Sequence, residues 1–220
     1  MIRLPDFGRA WDYENDFYLS CDITRISKIL AAYELYKMVL DLPGHVVECG
    51  VFKGTSLSRF AMFRSLFGNV YSKKIIAFDI FGKFPGTQFQ TDIKAREKFI
   101  QEAGEQSISV EQMREVLDRR GIGQNVELIS GDITLTVPEY VKNKPELKIS
   151  LLNLDTDIYE PAVTILDHLF PRIVTGGILI IDDYATWPGE TKAVDEYFKD
   201  MGVRVQKFPF AMTPCYVVKR

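Results

Sequence analysis

"VRVQKFPFAMTPCYVVK", Val203 to Lys219, carries two apolar, β-rich runs, VRVQKF (203–208) and CYVVK (215–219), separated only by residues 209–214 with a proline at each end. A parallel crossover needs a dozen residues or more, so this connection makes the two strands antiparallel neighbours. That reading matters because the chain upstream alternates differently. HVVECG (45–50), KIIAFD (74–79), NVELIS (125–130), KISLLNLD (148–155) and GILIID (177–182) read as short buried strands. Between them lie helical patterns near 55–67, 91–103, 109–120, 136–142 and 159–170, with another near 190–200. Apolar strands separated by amphipathic helices predict an α/β fold whose parallel sheet is covered on both faces. A mostly parallel sheet closing with one late antiparallel strand departs from the dinucleotide-binding arrangement.

The remaining N-terminal part fits around this core. From Asp22, an N-cap candidate, Ile26, Ile29, Leu30, Tyr33, Tyr36 and Leu40 recur at helical spacing until Pro43 and Gly44. Residues 1–20 are aromatic and acidic without clean periodicity and read as an arm or lid. No Pro/Gly/Ser linker divides the chain, so residues 1–220 are expected to form one domain: an arm and helix over 1–44 and an α/β core over 45–220. With 46% hydrophobic and 26% charged residues the composition is globular, and 220 residues are enough to bury a sizeable core. A net charge of −3 gives no electrostatic footprint for nucleic acid or anionic membrane. No apolar run is long enough to span a bilayer, and the N-terminus lacks the pattern of a secretory signal. Cys21, Cys49 and Cys215, with no C-x-x-C pair, read as reduced thiols, and a cytoplasmic location is expected.

In open α/β sheets ligands sit beyond the carboxyl ends of the strands. The first strand there runs into ECGVFKGTS (48–56). The stretch fits neither G-x-G-x-x-G, which needs a glycine at Phe52, nor a P-loop, which needs four residues between its glycines and then Gly-Lys-Ser/Thr. What remains is E-x-G-x-x-x-G, with Asp79 closing the second strand and Asp132–Ile133 following the third. Glu48 is suited to an amine, Asp79 to ribose hydroxyls, Asp132 to an adenine amine and Ile133 to its ring. With no phosphate cradle evident, S-adenosylmethionine fits better than NAD or ATP. It would be expected against Glu48, Gly50, Gly54, Thr55, Ser56, Asp79, Asp132, Ile133 and Asp155.

The fourth strand then delivers Asp155 and Asp157, and the fifth Asp182 and Asp183. Two like charges ~4 Å apart repel by about 4 kcal/mol at an effective dielectric of 20. A hard divalent cation such as Mg²⁺ relieves that repulsion. The competing reading makes Asp157 the cap of the helix starting near Tyr159 and leaves Asp183 solvated. Iron is disfavoured, because His45 precedes the first strand at its wrong end and His168 lies within a helix. Tyr159, Tyr184 and Trp187 follow the acid motifs and are candidates to wall an acceptor pocket.

VVECGVFKGTSLSRF, AFDIFGKFPG, SGDITLTVPEY, LLNLDTDIYEPAVTILDHLFPRIVTGGILIIDDY and PGETKAVDEYF together resemble the macrocin O-methyltransferase (TylF-type) family, from about residue 45 to 200. The resemblance implies a Rossmann-like class I methyltransferase fold with a seven-stranded sheet. It also implies an S-adenosylmethionine- and Mg²⁺-dependent O-methyltransferase acting on a hydroxyl of a sugar or small natural-product acceptor. By motif, Asp155, Asp182 and Asp183 correspond to metal ligands, Asp157 to the general base, and Glu48, Gly50 and Asp79 to the donor site. The acceptor would be a sugar or glycosylated metabolite, with neither nucleic acid nor membrane as partner, and a homo-oligomer, dimer or higher, is expected. The competing readings are a related methyltransferase or hydroxylase-like enzyme on this scaffold and a non-catalytic S-adenosylmethionine-binding module.

Overall fold

The strand of Val46, Val47, Glu48 and Cys49 lies inside the sheet, with a parallel neighbour on each side, and its alternate side chains face two different cores. The computed structural model describes residues 1–220. Seven strands, β1 (His45–Cys49), β2 (Ile75–Asp79), β3 (Val126–Ser130), β4 (Ile149–Leu154), β5 (Ile173–Ile181), β6 (Gln206–Lys207) and β7 (Cys215–Val218), form one sheet in the order β3-β2-β1-β4-β5-β7-β6. β1 to β5 pair in parallel, and β7 runs antiparallel to both β5 and β6, as the short 209–214 connection requires. β6 is shorter than the sequence predicts, pairing only at Gln206 and Lys207. β5 is longer, starting at Ile173: the Gly176 amide donates to the Lys219 carbonyl and the Lys219 amide to the Gly177 carbonyl, while Gly176 takes φ +82 where β5 shifts register against β4.

Eight α-helices cover the faces: α1 (Ala10–Ser20), α2 (Ile23–Lys37), α3 (Thr55–Phe67), α4 (Gln90–Ala103), α5 (Val110–Arg119), α6 (Ile133–Asn143), α7 (Tyr159–His168) and α8 (Pro188–Phe198). Val47, Cys49, Leu152, Leu154, Leu179 and Ile181 point into the core under α6, α7 and α8. Val46, Leu151, Ile178 and Ile180 point into the core under α2, α3 and α5. This is the period of two expected of a strand buried on both faces.

Two helices differ from expectation. α2 begins at the Asp22 cap, whose carboxylate accepts from the Thr24 amide, but it buries Ala31, Ala32, Leu35 and Tyr36. Leu30 and Leu40, expected on the core stripe, are substantially exposed. The buried face is thus turned one position round the helix, where two alanines let α2 lie close to its neighbours. Residues 10–20, read as an arm without periodicity, form α1, which buries none of its residues. No helix is long and apolar enough to cross a membrane.

Candidate active site

β1 ends in a turn that only glycine can make. Gly50 has φ +94, and a Cβ there would lie 1.7 Å from the Asp155 carbonyl oxygen. The ends of β1 and β4 are therefore in backbone contact, and the Asp155 amide donates to the Cys49 carbonyl at 3.0 Å. Asp79 holds the turn in place. Its Oδ2 accepts from the amides of Val51 (2.7 Å) and Phe52 (3.0 Å), its Oδ1 from the Phe81 amide (2.6 Å) and the Ser107 hydroxyl (3.3 Å). Phe52 and Phe81 both sit at positive φ, +47 and +49, a strained region for a bulky side chain. One carboxylate thus pins two strained turns, and its four contacts fill the sites it offers. Asp79 borders the cavity, but in this arrangement it supports the turn rather than leaving an oxygen free for a ribose.

Beyond these turns opens a cavity of about 460 Å³, a size in the range of small-molecule sites. Gly50, Thr55, Ser56, Asp79, Asp132, Ile133 and all four acids of the two late motifs line it. Two expected donor residues do not. Gly54 is buried, and its missing Cβ makes room for Met113 of α5 (2.6 Å to Sδ) rather than for a ligand. Glu48 is fully buried on the α2–α3 side of β1, where Oε1 accepts from the Ser56 hydroxyl and Oε2 has no partner. Burial pushes its carboxyl up to about 8, with Ser56 and Arg59 pulling the other way. Asp132 caps α6, accepting from the Thr134 amide and hydroxyl, so that helix starts three residues before the predicted 136 and carries Pro138 within it.

The four late acids divide. Oxygens of Asp155, Asp157 and Asp183 lie within 4.8 Å of one another. Asp182 instead pairs with Lys28 of α2, its Oδ2 2.5 Å from the ammonium. The alternation of β5 accounts for this: Ile178 and Ile180 face α2 and α3, Leu179 and Ile181 face α7 and α8, and the next two residues continue the alternation. Burial, followed by Asp182 and Asp183, holds the Asp155 carboxyl well above the usual carboxylate range. Burial and then Asp183 do the same to Asp157. Burial works against the Lys28 charge, yet Asp182, Asp183 and Asp155 hold its pKa above the ordinary value.

Asp157 does not cap α7. It sits at φ +64, the α7 N-cap residue Ile158 makes no side-chain cap, and the Tyr159 amide donates to Asp92 of α4 at 2.9 Å. The other Asp92 oxygen accepts from Gly189 at the start of α8 (2.8 Å), so one buried carboxylate ties the helices that follow both acid loops. A fifth acid, Glu190, is fully buried beside them. Its Oε1 accepts from the Asp183 amide at 2.9 Å and its Oε2 has no partner. Burial first, then Asp183, raises it well above the usual range. Of the three candidate pocket aromatics only Trp187 lines the cavity, in ring contact with Phe84 and Phe99. Tyr159 and Tyr184 turn away and donate to Glu196 and Asp195. No residue of the N-terminal arm reaches the cavity lining.

Lys28, Arg59, Asp92 and Glu190 escaped the sequence reading. Lys28 left a trace, since it lies one turn before Ala31 and Ala32 on the buried face of α2. Asp92 and Glu190 left none, because their partners are 67 and 97 residues away for the first, and a backbone amide for the second.

The residues present fit a divalent cation, since three hard oxygen donors converge within 4.8 Å of one another. They also fit a donor nucleoside, through the Gly50 turn open to the cavity and the Thr55, Ser56, Asp132 and Ile133 side chains that line it.

The chain matches the family described as macrocin-O-methyltransferase (TylF) over residues 24–211. It is 31% identical over 147 residues to the 8-demethyl-8-(2,3-dimethoxy-α-L-rhamnosyl)-tetracenomycin-C 4′-O-methyltransferase of Streptomyces olivaceus, covering 66% of this chain and 54% of that one. To the mycinamicin III 3″-O-methyltransferase of Micromonospora griseorubida it is 28% identical over 166 residues, 74% of this chain and 63% of that one. The chain therefore spans between half and two thirds of the length of these relatives. Among solved structures, a calicheamicin methyltransferase superposes with a TM-score of 0.78 at 26% identity, over 97% of this chain and 86% of that one.

Proposed function

The chain belongs to the macrocin O-methyltransferase family, and from that premise we propose that it transfers a methyl group from S-adenosylmethionine to a hydroxyl of a sugar or glycosylated small molecule, with a divalent cation such as Mg²⁺ at the acid cluster. The observation that carries the reading is the convergence of Asp155, Asp157 and Asp183 on one wall of the cavity that the Gly50 turn opens into. The rhamnosyl group in the name of one relative supports a sugar acceptor.

In this reading Gly50, Thr55, Ser56, Asp132 and Ile133 border the donor directly. Glu48 acts on it from behind Ser56, and Gly54 and Asp79 shape the turn. Asp155 and Asp183 hold the cation, and Asp182 joins them only if its pair with Lys28 opens. When bound, the cation neutralises the crowded carboxylates and lowers the pKa of an acceptor hydroxyl, and S-adenosylmethionine supplies the methyl group. Asp157 accepts the hydroxyl proton. Its backbone is left-handed, at φ +64, and its own carbonyl, accepting from the Glu190 amide at 3.2 Å, holds that turn in place. Trp187, Phe84 and Phe99, in ring contact with one another, line the cavity and exclude water from part of it.

The test is methyl transfer from labelled S-adenosylmethionine to a panel of glycosides, with and without a chelator. Asp157→Asn should lose roughly 10²- to 10⁴-fold in rate, the usual contribution of a positioned base, while binding of S-adenosylhomocysteine changes little. Transfer that survives both chelation and Asp157→Asn would reject the roles given to the cation and to Asp157.

A further inference from the structure

The methyl-transfer reading uses the acids of the cavity but not the cations that face them. On the α2–α3 side the lining includes Arg25, Lys28 and Arg59. Lys28 has its partner in Asp182. Arg59, half-buried in the second turn of α3, has none: Glu48, Asp182 and Asp155 act on it only through their charge. The Glu48 Oε1 is taken by Ser56 and the Asp182 Oδ2 by Lys28. Arg64, a turn further along the same helix, shows what this chain does with a structural arginine. Its guanidinium donates to four backbone carbonyls, those of Lys73, Ile122, Gln124 and Asn125.

A guanidinium drawn out of water without a hydrogen-bond acceptor is unfavourable. Burial accordingly lowers the pKa of Arg59. Its exposed part opens into the cavity, which Arg25, Thr55 and Ser56 also line. Five donors in a rigid fork match the two oxygens of a carboxylate or a phosphate.

We propose that Arg59, with Arg25 and Lys28 beside it, forms an oxyanion subsite that receives a carboxylate or phosphate group of a bound ligand. The proposal rests on the methyl-transfer reading only for which ligand brings the anion: the amino-acid carboxylate of the donor, or an acidic group on the acceptor.

The experiment measures binding by calorimetry for the wild type and for Arg59→Gln and Arg59→Lys. The probes are S-adenosylhomocysteine, 5′-methylthioadenosine, which lacks the carboxylate, and inorganic pyrophosphate. If the donor supplies the anion, the wild type prefers S-adenosylhomocysteine, and Arg59→Gln reduces that preference about ten- to a hundredfold, as expected for charge-assisted hydrogen bonds. Arg59→Lys keeps the charge, loses the fork and falls between. If the acceptor supplies it, the preference is the same in all three proteins, and pyrophosphate binds the wild type but not Arg59→Gln. An Arg59→Gln protein that matches the wild type with all three probes overturns the proposal. So does one that melts well below the wild type without ligand, because Arg59 would then be structural. A wild type that binds neither nucleoside counts against the methyltransferase reading, and the oxyanion subsite is then judged on pyrophosphate alone.

Discussion

Glu48 is a fully buried carboxyl with one hydrogen bond, and its titration is a property of that position. Its folded pKa of about 8 lies above the ordinary glutamate value, so the folded state holds the proton more tightly than the unfolded chain does. The stability this contributes is complete below the ordinary range near 4.5 and is lost as pH rises toward 8. Urea denaturation should therefore show the wild type weakening between pH 5.5 and 8.5, and Glu48→Gln weakening less. The difference should be on the order of 1 kcal/mol per pH unit. Equal slopes for the two proteins would mean that Glu48 is ionised in the folded state. The side chains that define the site were legible to different depths. Asp155 and Asp157 stand out in sequence because an apolar strand rarely ends in two acids. That Asp182 turns to Lys28 follows from side-chain alternation, but only once the helix on each face is known.

At the scale of elements, the two loops that carry the acids are held by helix starts. Asp92 accepts from the first amides of α7 and α8, so it satisfies two donors that helix ends leave open and fixes how residues 155–158 and 183–187 leave their strands. Asp92→Ala should lower stability by about 1–3 kcal/mol. It should also reduce methyl transfer, with far-UV circular dichroism unchanged, because the helices remain while their mutual anchor is lost. A variant as stable and active as the wild type would show that the packing of α7 on α8 suffices. The same close fit excludes a side chain at Gly189, where a Cβ would meet Asp92 Oδ2 at 1.9 Å. The start of α7 at Tyr159 is legible from the local pattern, but the partner of its first amide is Asp92 in α4, 67 residues away, where the local sequence carries no sign of it.

For the whole molecule, crowding buried acids at one sheet edge opposes folding unless positive charge is supplied, and Lys28 and Arg59 supply only part of it. A bound divalent cation stabilises the folded state by mass action. At a concentration one hundred times its Kd that is ~2.7 kcal/mol, on the order of 5–10 °C in melting temperature for a chain of this size. Mg²⁺ should therefore raise the melting temperature, and Asp183→Asn should abolish the rise; a wild type insensitive to Mg²⁺ would count against a cation at this cluster. The sequence by itself determined the strand–helix alternation, the single antiparallel strand and the sheet edge at which the acids gather, because hydrophobic period and connection length are local properties of the chain. Tertiary structure alone decided which face of α2 is buried, which three acids share one point, and which cations face them. Those outcomes depend on how helices pack across the sheet, which joins Lys28 to Asp182 across 154 residues of chain.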